Sequence, residues 1–478
     1  MHGTITTSRL QQFALIALIV FIGLFYLATL RPGAPVGDDF AMYILQARNI
    51  ASGHWHAPTG YVYNPRNAHV GPVEYPPLFP LLLAPVYGIW GLHLTAMKVE
   101  TLLFFLAALY AVFVLVSREL PFPYAAAIVV VVGLSPFCWE FKDNIVSDFP
   151  FFCLAMLALV IIDDGERRHW KSAVLAVAAG VTVYLSFATR TAGVVFLPGL
   201  AVSAIRAPRD GHRSAVAAAA VAVALMGAHS LVFRGNGSYL DQLQTPWQTL
   251  APNARAYAWG IRSLMFGWTS RVPGLLLITA LAVFAVVGVV LRARQGISMA
   301  ETFSLFYALL LAVWRSEADV RLFLPLLPLW LMYVGIALRK LPRTARSITG
   351  ASLLIMIAAG FALGYHRFDF GPIREGLGDD AFIRVCDYVR EQTPPGSAVI
   401  FSRPRLMALV TGHSSSAYHQ PANDKDLWDY FRKIHAGYLV VNRADAEDRR
   451  YLEPLLARSS QWASEQFTAG AFHLYAIR

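Results

Sequence analysis

Charge is scarce in this chain. Only 15% of its 478 residues are Asp, Glu, Lys or Arg, while 56% are hydrophobic and the mean hydropathy is +0.49. A soluble protein of this size carries far more charge, so composition alone makes this an integral membrane protein. Cysteine is rarer still. Cys138, Cys153 and Cys386 form no CxxC or other ligand spacing, which excludes a disulfide framework and leaves them as packing residues. Internal repeats are not evident, and the acids cluster at the outer ends of apolar runs instead of at mid-membrane. Both points argue against a secondary transporter. A transporter of a lipid or anionic substrate is kept as the alternative to an enzyme. A net charge of +10 would suggest nucleic acid for a soluble domain, but here the basic residues lie in short loops between apolar runs. There they report orientation, and nucleic acid is not a partner.

What is present is a series of long apolar runs. Phe13 to Leu30 has about the length that crosses a bilayer, and Arg31-Pro32-Gly33 after it is no signal-peptide cleavage site. Further runs occupy 94–117, 122–139, 148–162, 172–189 and 191–205, then 214–233, 272–291, 300–314, 322–338 and 347–364. The expectation is a mainly α, polytopic membrane protein of roughly eleven transmembrane helices. With the N-terminus inside, the inner loops hold Arg118, then Arg167, Arg168 and Lys171, then Arg206, Arg209 and Arg213. Later inner loops hold Arg292 and Arg294, then Arg339, Lys340, Arg343 and Arg346. Every inner loop is then basic, as the positive-inside rule requires. The same parity puts the first loop (31–93) and the C-terminal segment outside.

That first loop does not fit hydrocarbon. Between Gly37 and Pro80 it holds Asp38, Asp39, Arg48, Arg66, Glu74, three histidines and several prolines. Asp39 to Ala51 has apolar residues near helical spacing with Gly53 as a stop, which predicts a helix on the membrane surface. Asp38 or Asp39 would serve as its N-cap, where a carboxylate is favoured by the helix dipole. Residues 77–91 are apolar but short and broken by proline, so they read as an interfacial helix. His54, His56 and His69 fit no helix-borne zinc spacing such as HExxH, and a metal site is not expected.

After residue 364 the pattern becomes that of a soluble fold. Helices are predicted over Asp379–Glu391, Pro404–Val410, Asp424–His435 and Ala444–Ala457. Strands are predicted over Ala398–Phe401, Tyr438–Val441 and Phe472–Ile477. The alternation argues for a small α/β domain over 365–478, appended to a membrane domain over 1–364. It contains no phosphate loop, metal cluster or catalytic triad, and is expected to be a cap or recognition domain without chemistry.

Several ordered pieces carry a resemblance. Asp38-Asp39 is followed by Tyr43, Ala47-Arg48, Ala51-Ser52-Gly53 and Trp55, then by Glu74-Tyr75-Pro76-Pro77-Leu78. Later come Asn144 to Pro150, Thr189 to Gly193 and Arg321 to Pro328. Together they resemble the type-C glycosyltransferases, in particular the superfamily of protein O-mannosyltransferases and lipid A aminoarabinose transferases. Two departures stand out. The acid pair is Asp-Asp where Asp-Glu is usual, and Tyr75 stands where aminoarabinose transferases have lysine.

The resemblance implies a GT-C fold and transfer of a sugar from a polyprenyl phosphate such as undecaprenyl phosphate to an acceptor hydroxyl on a lipid, glycan or protein. The reaction would be inverting, at the outer face of the bacterial inner membrane. It implies Asp38 as base, Asp148 as a second acid, and Asp39, Tyr43, Glu74 and Tyr75 as supporting or acceptor-binding residues. Arg190 and Arg321 are then the arginines on the donor phosphate. Their alternative is snorkelling at the membrane edge, and that of Asp148 is N-capping, which Ser147 could do equally well. Arg255 and Arg262, in the outer loop 234–271, would attract an anionic head group or pair with acids of the C-terminal domain. No cofactor is implied firmly. A divalent cation is admitted but not favoured.

Overall fold

The computed structural model describes residues 8–35, 37–67, 71–233, 246–314, 319–421, 423–459 and 461–478. His69 and Arg234 lie outside them. The chain is mainly helical. Helix α1 (Arg9–Ala28) starts at a capping box formed by Ser8 and Gln11. Two helices, α2 (Asp39–Ala51) and α3 (Leu78–Trp90), follow in the acidic, proline-rich stretch. Next come α4 (Leu94–Ser117), α5 (Phe122–Gly133), α6 (Pro136–Phe141), α7 (Asp148–Arg167) and α8 (Ala173–Thr189). They are succeeded by α9 (Phe196–Arg206), α10 (Arg209–Val232), α11 (Pro246–Gly260) and α12 (Arg271–Ala293). Helices α13 (Met299–Val313), α14 (Leu327–Leu338) and α15 (Arg343–His366) complete the apolar part.

Among the described residues, five helices are long and apolar enough to cross a membrane: α1, α4, α10, α12 and α15. Helix α7 is as long as α1 but carries Asp148 at one end and Asp163, Asp164, Glu166 and Arg167 at the other, and the remaining apolar helices are shorter for a local reason. The run 122–139 is broken at Leu134-Ser135, because Pro136 cannot donate to a continuing ladder and opens α6 instead. Short 3₁₀ turns over Thr191–Val195 and Val320–Phe323 likewise precede α9 and α14. Packing inside this part is aromatic where α4 meets α7. Phe105 stacks on Phe149 at 4.5 Å, and the Tyr26 hydroxyl of α1 donates to the Gly133 carbonyl of α5 at 2.7 Å.

Beyond α15 the chain alternates between helices and a sheet. Helix α16 (Asp380–Gln392) leads to β1 (Ala398–Ile400), and α17 (Pro404–Thr411) to β2 (Ser415–Ser416). Helix α18 (Asp424–Lys433) leads to β3 (Ala436–Asn442), and α19 (Ala446–Arg458) to the hairpin β4 (Ala463–Ala469) and β5 (Phe472–Ile477). The sheet order is β2-β1-β3-β5-β4. Strand β1 is parallel to both β2 and β3, whereas β5 runs antiparallel to β3 and β4. Strands β2 and β4 were not expected from the sequence. One is two residues long, and the other carries Ser464, Glu465 and Gln466 where a clean alternation would have marked it.

The sheet edge at β2 is completed by the early stretch. The Val62 amide donates to the Ser415 carbonyl at 2.8 Å, and the Ser415 amide to the Gly60 carbonyl at 2.8 Å. Side chains follow the backbone. Phe40, Ala41, Ile44, Phe79 and Leu83 of α2 and α3 share one core with Phe382, Val399, Leu406 and Met407. Each large apolar side chain buried there contributes about 1.5–3 kcal/mol. The acidic stretch is thereby clamped between the long helices and the C-terminal α/β part.

Candidate active site

Asp38 precedes the first turn of α2, yet its side chain makes no capping bond to that helix. Its Oδ1 instead accepts from the backbone N–H groups of Arg405, at 2.9 Å, and Leu406, at 3.0 Å. These are two of the orphan donors in the first turn of α17, so Asp38 caps a helix of the C-terminal part. The left-handed Gly412 (φ 77°) ends that helix. The second oxygen, Oδ2, is buried without a hydrogen-bond partner among the described residues, 3.7 Å from the Arg405 Nε. Burial pushes the Asp38 carboxyl up to about 6, against the opposing pull of Arg405.

Asp39 is held differently. Its Oδ1 accepts from the Tyr75 hydroxyl at 2.6 Å and from Arg405 Nη1 at 3.3 Å, while Arg321 Nη1 and Nη2 both approach Oδ2 at 3.4 Å. Burial works against its charge, but Arg321 and Arg405 together overcome this and hold the carboxyl below its ordinary value. The neighbouring acids are thus driven apart, one toward neutrality and one toward a permanent charge.

Arg405 joins the two acids. It is fully buried, donates from Nη2 to the Pro72 carbonyl at 2.6 Å and from Nη1 to the Tyr75 hydroxyl at 2.9 Å, and lies over the rings of Tyr61 and Tyr75. Its planar fork suits several partners at once, which a lysine would not. Gly71 leaves it room, since a Cβ there would stand 2.9 Å from Arg405 Nη2 and 2.8 Å from the Tyr75 hydroxyl. Sequence reasoning missed Arg405, having read the C-terminal part as free of chemistry. An arginine in an otherwise apolar helical run, Pro404 to Val410, was the available signal.

The remaining residues expected at the site sort into three groups. Tyr75 touches both Asp39 and Arg405, and stacks on Tyr43 at 4.5 Å. Tyr43 shares a hydrogen bond with Ser147 Oγ at 2.9 Å, so Ser147 does not cap α7. Asp148, the first residue of α7, does not cap it either. It pairs through Oδ1 with Arg190 Nη1 at 2.7 Å, and its buried Oδ2 has no partner among the described residues. Arg321 pairs with Asp319 through Nε at 2.7 Å as well as with Asp39. Burial opposes the Arg321 charge, but Asp148, Asp319 and Asp39 hold the guanidinium protonated.

Glu74 is not brought into this cluster. It is solvent-exposed, because the bend at Pro72 to Pro77 turns Tyr75 inward and its neighbour outward. Arg255 is exposed, whereas Arg262 is buried beside Gly274. His54 lies by Ser52 and His56 against Phe233, and among the described residues no group of three or more His, Cys, Asp or Glu side chains could hold a metal ion.

A cavity of about 400 Å³ opens beside the acid pair, between the early stretch and the C-terminal part. Asp38, Asp39, Arg66 and Gly71 line it from one side, and Arg403, Arg405, Gln420 and Glu447 from the other. Arg190 and Arg321 are not among its lining residues. The site therefore holds a carboxylate with one oxygen outside any hydrogen bond, two arginines ion-paired to Asp148 and Asp39, and a polar cavity beside the acid pair.

No family model and no curated protein matches the chain by sequence. Solved structures do resemble it. ArnT from Cupriavidus metallidurans bound to undecaprenyl phosphate superposes with TM-score 0.57 at 13% identity, covering 98% of each chain. The Archaeoglobus fulgidus oligosaccharyltransferase in its apo form gives TM-score 0.60 at 14% identity, over 91% of this chain and 70% of that one. The arabinofuranosyltransferase AftD from Mycobacteria gives 0.59 at 14% identity, over 100% of this chain and 40% of that larger one. At such identities the likeness is one of fold, and the fold is that of the type-C membrane glycosyltransferases.

Proposed function

We propose that this chain is a glycosyltransferase that moves a hexosyl or pentosyl group from a polyprenyl-phosphate donor to an acceptor hydroxyl. The observation that carries the reading is Asp38. It is a carboxylate with one oxygen fixed by two backbone N–H groups and the other outside any hydrogen bond, 3.7 Å from Arg405 Nε, with its pKa pushed up to about 6. A general base works best near the ambient pH, and this environment supplies it. In the proposed step, Asp38 Oδ2 takes the acceptor proton as the acceptor oxygen attacks C1 of the sugar. The bond from C1 to the phosphate oxygen breaks, and its electron pair leaves with the polyprenyl phosphate. Attack opposite the leaving group inverts the anomeric centre.

Arg321 and Arg190 supply positive charge for the departing phosphate, which a guanidinium pairs through two oxygens. Asp39 and Asp148 hold those arginines through the ion pairs already described, and Arg405 and Tyr75 hold Asp39. No covalent nucleophile takes part. Helix α7 and the shorter apolar helices complete the roughly eleven spans. The basic loops then face the cytoplasm, and the site and the C-terminal α/β domain face the periplasm of a bacterial inner membrane.

The test uses full-length protein in lipid nanodiscs with a panel of undecaprenyl-phosphate sugars. Wild type is expected to release undecaprenyl phosphate from one of them and Asp38→Asn to lose this activity. A folded protein that consumes no donor would sink the reading, and an equally active Asp38→Asn variant would remove Asp38 as the base.

A further inference from the structure

Resting on the transferase reading, we propose that the cavity beside Asp38 is the acceptor site, and that the acceptor group it takes is an uncharged saccharide end offering a ring hydroxyl. Three observations point there. First, position: Asp39 receives Arg405 and Tyr75 at Oδ1 and Arg321 at Oδ2. Asp38, Asp39 and Arg405 line the cavity, and Arg190 and Arg321, the cations assigned to the phosphate, do not. Second, size: about 400 Å³ falls within the ordinary range for a small-molecule pocket.

Third, the lining chemistry is selective. No aliphatic side chain lines the cavity, which rejects an acyl chain or an apolar peptide side chain. Gln420, Glu447, Asp445 and Ser402 instead present amide, carboxylate and hydroxyl groups, which pair with adjacent ring hydroxyls as donors and acceptors. Charge argues against an anionic acceptor. Arg66 is paired with Asp426, and Arg405 with Asp38 and Asp39. Among the described residues, Arg403 alone of the lining cations has no ion pair, and four carboxylates, those of Asp38, Asp39, Asp445 and Glu447, line the same cavity. A phosphate group entering the cavity would meet those acids.

Placement also follows from the fold. Glu447 and Asp445 sit at the start of α19, where Asp445 accepts from the Glu447 and Asp448 amides at 2.8 and 3.3 Å. Gln420 Nε2 donates to Glu447 Oε1 at 3.3 Å. The C-terminal part therefore contributes a polar wall to the cavity that Asp38 and Asp39 also line.

The proposal is tested by saturation-transfer NMR on full-length protein in nanodiscs without donor. The probes are methyl α-D-mannopyranoside, methyl β-D-glucopyranoside, diacetylchitobiose, glucose 1-phosphate and a threonine-containing hexapeptide. Transfer to at least one uncharged saccharide is expected. Binding should weaken about tenfold in Gln420→Ala/Glu447→Ala, whose side chains are both exposed and whose loss spares the core. Arg403→Ala, a second exposed site, should weaken it in the same direction. No transfer to any uncharged saccharide, equal transfer in the variants, or a preference for the peptide or for glucose 1-phosphate would each overturn the proposal. Donor turnover measured on the same nanodiscs reports separately on the transferase reading, so the two can fail independently.

Discussion

Asp38 Oδ1 accepts a hydrogen bond from the backbone N–H of Arg405 at 2.9 Å, across 367 residues of sequence. Through that bond, the first acidic residue after α1 caps a helix in the C-terminal part. The residue that supplies the N–H also sends its guanidinium back to the second acid, Asp39. The acid pair and α17 form one unit, and neither half has its observed environment alone.

The first prediction concerns rate and pH. Asp38→Asn keeps Oδ1 for the two backbone donors but removes the base, and transfer should fall about 10²–10⁴-fold. In wild type, kcat/KM should drop as pH falls through about 6, where Asp38 takes up its proton. Asp39, held low by Arg321 and Arg405, should add no acid limb in that range. Donor turnover followed between about pH 5 and 8 checks this. A flat profile would contradict it.

Stability should respond to the same group with a defined sign. The Asp38 carboxyl moves from an ordinary 3.8 to about 6 in the folded chain. The folded state therefore holds a proton that the unfolded state releases between those values. Its contribution is fully present below pH 3.8 and is lost as pH rises through about 6. Asp38→Asn should thus raise the thermal midpoint relative to wild type at pH 7.5 and much less at pH 4, by on the order of 1–2 kcal/mol at the higher pH. Unfolding scans at the two pH values settle the matter.

Removal of Arg405 strikes the centre of the site. Arg405→Ala leaves two carboxylates without their shared guanidinium and should cost about 3–5 kcal/mol, as for a buried ion pair missing one partner. Arg405→Lys should recover only part of this. One ammonium cannot reach the Pro72 carbonyl, the Tyr75 hydroxyl and Asp39 together. Thermal unfolding of the two variants in nanodiscs is the measurement, and full recovery with lysine would contradict the stated geometry.

Arg190 and Arg321 should separate structure from binding. Asp148, the partner of Arg190, is 4% exposed, whereas Asp39 and Asp319, the partners of Arg321, are 35% and 44% exposed. Arg190→Ala strands a buried carboxylate and should destabilise the chain, and adding Asp148→Ala should restore stability. Arg321→Ala should cost less stability than Arg190→Ala, because Asp39 keeps Arg405 and Tyr75, and should weaken undecaprenyl phosphate binding about tenfold or more. Calorimetry against undecaprenyl phosphate, paired with unfolding scans, distinguishes the two roles.

The membrane class, the basic loops, the acidic first stretch and most C-terminal elements could be read from residue order alone. These features depend on composition and on periodicities of two or about four residues, which local sequence carries directly. Pro136 could have announced the break between α5 and α6, because proline acts on its own backbone. The candidate acids and arginines came from the resemblance to the type-C glycosyltransferases, carried over at the positions that match the motif.

Tertiary structure decided what those residues touch. Asp38 caps α17 and not α2, Asp148 pairs with Arg190 in place of capping α7, and Glu74 faces solvent while Tyr75 turns inward. Arg405 enters the site only because Gly60 to Val62 extends the sheet at β2 and because α2 and α3 share a core with α17. Such pairings join segments hundreds of residues apart, and each is fixed by the burial of surfaces whose complementarity no local pattern records. The same burial leaves one Asp38 oxygen free and raises its pKa, so the chemistry proposed for this chain is a property of its packing.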